Sequence, residues 1–154
     1  MKQPPSDRRH TFETSKFSGS GFLGDDRRPV DEIIADDMRE LERSGIARDD
    51  LVSALEEAYR KTRDALGDIV EVAPGVQAEF FESRGRVPCP FGGCGAFEKG
   101  EALLTASASQ QPLIVTSLGI HMIKTHGFFQ GRGSRYRIEP VETAKMLDIG
   151  GLRT

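Results

Sequence analysis

With 154 residues, 37% apolar and 29% charged, the chain has the length and composition of one domain that buries its own core. No apolar run approaches the roughly 20 residues a bilayer-spanning helix needs, and Met1-Lys2-Gln3-Pro4-Pro5 opens no apolar signal segment. Membrane insertion is therefore excluded as a reading and a cytoplasmic location is expected, where a cysteine pair points to metal rather than to a disulfide. The net charge of −3 is unevenly spread. Asp25 to Glu71 carries 15 acids against 8 bases, a net of −7, whereas Leu113 to Ile138 carries no acid and 4 bases. Such halves either address a polyanion or attract each other.

Residues 1–24 are rich in Pro, Ser and Gly with no apolar period and read as a flexible N-terminal arm. Phe12, Phe17 and Phe22 recur at five-residue intervals, a spacing of neither helix nor strand. The arm either lays aromatic rings on the domain or is a disordered tail, and His10 reads as an ordinary tail residue.

Residues 25–67 read as an acidic helical hairpin. The first helix spans 29–44, with Pro29 at the first helical position, Asp31 and Glu32 in the first turn, and Val30, Ile33, Ile34, Met38 and Leu41 on one face. Gly45 is its stop. The second spans 48–66, with Leu51, Leu55, Ala58, Thr62, Ala65 and Leu66 as its stripe and Gly67 as its end. The short connection from Ser44 to Ala47 predicts antiparallel packing of the two helices. Their acidic outer face is either a solvated surface or a docking face for a protein partner.

From Asp68 the period changes to that of strands, and residues 68–154 read as a β-rich zinc-binding module compact with the hairpin. Ile69 to Val72 and Val76 to Phe80 flank a Pro74-Gly75 turn, with Phe81 at a bulge or strand end. Arg84 to Val87, Ala96 to Phe97, Ala102 to Ala106 and Leu113 to Val115 are further strands. Thr116 or Ser117 caps a helix over Leu118 to Thr125 that Gly127 stops. Tyr136 to Ile138 reads as a last strand, and Pro140 starts a short closing helix. The fold class is α+β.

Cys89-Pro90-Phe91-Gly92-Gly93-Cys94 and His121-Met122-Ile123-Lys124-Thr125-His126 hold both cysteines and two of the three histidines. Cys-x4-Cys, a 26-residue gap and His-x4-His make the composition of a closed tetrahedral zinc site. The glycines free the cysteine turn to adopt positive φ and to aim backbone N–H groups at the sulfurs. Five residues on a helix rotate about 500°, which leaves the two imidazoles about 140° apart. They converge only if the helix changes at its end, which Gly127 supplies. Reduced core cysteines, a Cys89–Cys94 disulfide and ordinary histidines are the alternatives.

Over residues 87–127 the chain resembles a Cys2His2 zinc finger, with cysteines on a β turn and histidines on the following helix. The chain as a whole also resembles a bacterial type of protein, a likeness that carries no function. The finger resemblance implies one structural zinc on Cys89, Cys94, His121 and His126. The gap departs from the usual finger, in which about 12 residues separate the pairs, and its extra length reads as an inserted β hairpin. The metal ligands carry over; the DNA-reading positions do not.

After the helix, Gly127 to Arg137 contains two phenylalanines, spaced glycines and three arginines. Lys124, Arg132, Arg135, Tyr136 and Arg137 are candidates for nucleic-acid or phosphate binding, by arginine forks and aromatic stacking, with Gly131 and Gly133 permitting close approach. The alternative is a loop whose phenylalanines join the core and whose arginines pair with hairpin acids. No nucleophile elbow, phosphate loop, His-Glu-x-x-His or Cys-x-x-Cys is present. The expected function is non-enzymatic: a protein-interaction or regulatory module with one structural zinc, with nucleic-acid binding as the rival and a metal-dependent enzyme third.

Overall fold

The computed structural model describes residues 21–107 and 111–149. Phe12, Phe17 and His10 lie outside them. Among the described residues, four helices and six strands run in the order α1 (Val30–Arg43), α2 (Arg48–Asp64), β1 (Val70–Ala73), β2 (Val76–Phe81), β3 (Arg86–Pro88), β4 (Ala96–Glu98), β5 (Glu101–Ala106), β6 (Leu113–Thr116), α3 (Ser117–His126) and α4 (Pro140–Met146). The fold is α+β, and no helix among the described residues is long and apolar enough to cross a membrane.

β1, β2, β5 and β6 form an antiparallel sheet in that order, and β3 and β4 form a separate hairpin. The stretch between the cysteine and histidine pairs thus supplies β4, β5 and β6, and β5 pairs with both β2 and β6. The expected insertion is a hairpin built into the main sheet. Val76, Ala78, Ala102, Leu104 and Val115 bury one sheet face against α2, whose Leu51, Leu55 and Ala58 are inaccessible. A second core joins Phe22, Leu23, Val30 and Ile33 to Val87, Cys89, Leu118, Met122 and Phe128.

Four details differ from the sequence reading. The helix starts at Val30 and Pro29 is its cap, because its extended ψ of 149° lies outside the helix. The second helix stops at Asp64, and Leu66, expected on its apolar stripe, has φ +53° and is 88% exposed. Leu66 and Gly67 both take left-handed φ, which turns the chain off the helix face before the stripe is complete. The two helices have little mutual packing. α2 lies on the sheet and on α3, while α1 packs against α4 and the second core and meets the α2–sheet core through Met38 and Leu41. Residues 136–138 form no strand: Arg137 N–H closes a turn on the Ser134 carbonyl, and Ile138 N–H makes a single bond to the Phe129 carbonyl. Their apolar alternation reflects burial in a loop: Tyr136 and Ile138 are buried without pairing to a strand.

That loop is pinned by Arg137, whose side chain is only 7% exposed. Its guanidinium donates to both Asp37 oxygens at 2.9 Å, to the Gln130 carbonyl at 2.6 Å and to Glu139 at 2.7 Å. Residues 22–26 lace the other side, where Gly131 N–H donates to the Phe22 carbonyl and Asp25 N–H to the Arg132 carbonyl.

Candidate metal centre

The β3–β4 hairpin carries the two cysteines at its turn, and α3 carries the two histidines. Gly92 (φ +84°), Gly93 (+75°) and Gly95 (+87°) take backbone conformations that side-chain-bearing residues rarely adopt, and a Cβ on any of them would meet nothing. The requirement at these glycines is therefore dihedral, not spatial. Gly92 N–H closes the turn on the Cys89 carbonyl at 3.0 Å, and the N–H groups of Phe91 and Gly92 serve the Cys89 sulfur. Both cysteines are free thiols, so the disulfide alternative falls.

α3 is capped at both ends. Thr116 accepts from Gly119 N–H at 2.9 Å, and Gly127, at φ +67°, ends the helix with bonds from Gly127 and Phe128 N–H to the Ile123 and Met122 carbonyls. The helix keeps α geometry through His126, its last residue. It does not tighten or unwind; the imidazoles reach one point from two flanks of its final turn. Their centroids lie 5.4 Å apart at 82°.

One donor atom from each of Cys89, Cys94, His121 and His126 lies within 4.8 Å of the others, and among the described residues this is the one such group. His126 Nε2 is 3.6 Å from Cys89 Sγ and 3.4 Å from Cys94 Sγ. Metal bonds of about 2.3 Å to sulfur and about 2.0 Å to nitrogen at tetrahedral angles put sulfur and nitrogen about 3.5 Å apart. His121 Nε2 is buried and has no partner, while its Nδ1 lies 3.3 Å from Thr125 Oγ1. A buried nitrogen aimed at two thiols and a second imidazole, with no hydrogen bond, is the mark of a ligand atom. The residues present therefore fit a metal ion.

Electrostatics agree. Burial holds His121 below its ordinary value, so it is neutral at pH 7, the ligating form. Burial, reinforced by the neighbouring Cys94, pushes the Cys89 thiol up to about 11. A cation at this point would supply the charge that keeps both sulfurs as thiolates.

Two aromatic rings, not anticipated from sequence, wall the site. Phe91 stacks on His126 at 4.0 Å and 12°, and Phe97 lies 4.4 Å from His121. Phe91 sits inside the cysteine loop and Phe97 three residues beyond it, so aromatic residues flanking the ligands were the available signal. Thr125, one helical turn after His121, could have been found from the i, i+4 rule.

The five basic-tract candidates are not brought together as an open patch. Lys124 pairs with Glu56 at 3.6 Å. Arg135 pairs with Glu101 at 3.3 Å and lies over the Tyr136 ring. Tyr136 is 9% exposed and donates to Glu101, and burial followed by Glu101 pushes its phenol up to about 12. Arg137 is buried on Asp37, and of the five only Arg132 presents an exposed side chain with no acid on it among the described residues, although its N–H donates to Asp26 at 3.0 Å. Phe128 and Phe129 are core residues. Gly131 and Gly133 do serve close approach, but to this chain: a Cβ would lie 2.3 Å from the Leu23 oxygen and 2.5 Å from Asp25 Oδ1.

No family model matches the chain, and no curated protein or solved structure matches it either.

Proposed function

We propose that the chain binds one zinc ion through Cys89, Cys94, His121 and His126, and that the zinc-stapled domain acts as a non-enzymatic protein-interaction or regulatory module. The observation that carries the metal reading is the convergence of four donors around a buried His121 Nε2 that bonds to nothing. Two thiolates and two imidazoles at tetrahedral spacing suit zinc better than calcium or magnesium, which require oxygen ligands. Four protein donors complete the tetrahedron, so the ion acts as a cross-link between β3–β4 and α3.

A protein partner is favoured over nucleic acid because every basic-tract candidate but Arg132 is engaged by acids of the same molecule, while Glu42, Asp49 and Asp50 stand exposed around the α1–α2 connection. Elemental analysis of the purified chain should return one zinc per molecule, falling towards zero in Cys89→Ser. Fluorescence anisotropy with labelled DNA and RNA at low salt should show no binding. Salt-dependent binding that disappears in Arg132→Glu/Arg135→Glu would replace the partner reading with the nucleic-acid one.

A further inference from the structure

Beside the metal centre, at the start of α3, lies a hollow of about 200 Å³. Its apolar wall is made by Phe22, Val87 and Leu118, and Lys99, Thr116 and Gln130 bring polar atoms to it. From this hollow we infer a second site, independent of the zinc reading, that binds a small carboxylate with an apolar body.

Gln130 carries the argument. It is 3% exposed and held at φ +73°, a conformation that non-glycine residues rarely take and that recurs at functional sites. Its backbone is fixed there by Arg137 Nη1 on its carbonyl. Its side chain makes one hydrogen bond among the described residues, from Ser134 Oγ to Oε1 at 3.1 Å. Ser134 Oγ itself accepts from Tyr136 N–H at 3.3 Å, so its hydroxyl proton is free to donate to Gln130. With the oxygen on Ser134, the NH2 group is the end of the side chain left without an acceptor among the described residues, and Gln130 lines the hollow. Nε2 lies 3.8 Å from the position a Cβ would take on Gly119, in the first turn of α3.

The surroundings specify the charge of the missing acceptor. The first turn of α3 contains no acid, and the N–H groups at a helix start favour an anion. Two carboxylates line the hollow, but both are engaged. Glu98 accepts from Tyr59 at 2.7 Å and pairs with Arg63 at 3.1 Å. Glu101 accepts from Tyr136 and pairs with Arg135. Two carboxylates on the wall disfavour a second negative charge, so the hollow suits a monoanion better than a dianion such as sulfate. The volume, below the roughly 300 Å³ at which pockets for drug-sized ligands begin, limits the body to the size of butyrate or benzoate.

The test is a titration of the 15N-labelled, zinc-loaded full chain, following the Gln130 side-chain NH2 resonances assigned through bonds. Sodium benzoate and butyrate should shift them saturably; benzylamine and sodium sulfate at matched ionic strength should not. Gln130→Glu, which puts an acceptor in place of the donor, should weaken benzoate binding at least about tenfold, and Lys99→Ala should weaken it less. Resonances that never move with benzoate, that respond equally to benzylamine, or a Gln130→Glu protein that binds benzoate unchanged would each overturn the site. If Gln130→Glu does not fold, the wild-type resonances and Lys99→Ala decide. The zinc content of the same sample reports on the metal reading separately.

Discussion

Thr125 is exposed, and its Oγ1 lies 3.3 Å from His121 Nδ1. With Nε2 on a metal, Nδ1 carries the proton and donates to that hydroxyl, which fixes the tautomer and the ring plane. Thr125→Val should therefore leave the fold intact and weaken zinc binding by about 10–100-fold, read by competition with a chromophoric chelator. The pair Asp37–Arg137 is buried on both sides, at 6% and 7% exposure. Removing Asp37 leaves the buried Arg137 with only the exposed Glu139 as counter-charge, so Asp37→Ala should cost about 3 kcal/mol in urea unfolding, and replacing both Asp37 and Arg137 by apolar residues should recover much of it. Asp26 sets the acid limb of stability. The Arg28 guanidinium holds its carboxyl well below the usual carboxylate range, with help from Arg132 N–H and against the effect of burial. The folded state thus binds this proton less tightly than the unfolded chain. The contribution is complete above the unfolded value of about 4 and is lost as pH falls towards the lower folded one. Urea midpoints between neutral and acid pH should fall, and Asp26→Asn should flatten that fall.

At the scale of elements, two glycines separate dihedral strain from steric conflict. Gly127 ends α3 in a left-handed conformation directly after the proposed ligand His126, and a Cβ there would lie 3.1 Å from Arg48 Nη1, the tip of a flexible side chain that can shift. Gly127→Ala should cost about 1–2 kcal/mol, mostly from its φ, and should weaken zinc binding by displacing His126. Gly131 is a different case: a Cβ would sit 2.3 Å from the Leu23 oxygen and 2.7 Å from its Cα, and backbone cannot give way. Gly131→Ala should therefore destabilise more than Gly127→Ala in the same urea assay, by separating residues 22–26 from the loop. The break between the first two helices, the Pro74-Gly75 turn, the Thr116 cap and the Gly127 stop were legible in the sequence, because each depends on residues a few positions apart. The failed strand at 136–138 was not, since two apolar residues alternating across a polar one look alike in a strand and in a buried loop.

The whole molecule has two cores that answer differently to metal. One lies between α2 and the four-stranded sheet; the other includes Cys89 itself and holds β3, α3, α1 and residues 22–23 together. Chelation of the proposed zinc should abolish amide protection first in the β3–β4 hairpin and the last turn of α3, while β2 and β5 keep theirs, as read by hydrogen exchange with and without chelator. Uniform loss of protection would show instead that the ion supports both cores. The sequence by itself determined the donor set, the order of helices and strands and the glycine-dependent turns, because donor chemistry, apolar period and φ preference belong to single residues or near neighbours. Only the tertiary structure decided where the arginines go, since Asp37 and Arg137 meet across 100 residues of chain and no spacing announces it. It also turned the close-approach glycines inward onto residues 23–25, and it left Gln130 lining a hollow. Those outcomes depend on which distant surfaces share a core, and that is settled only when the chain packs.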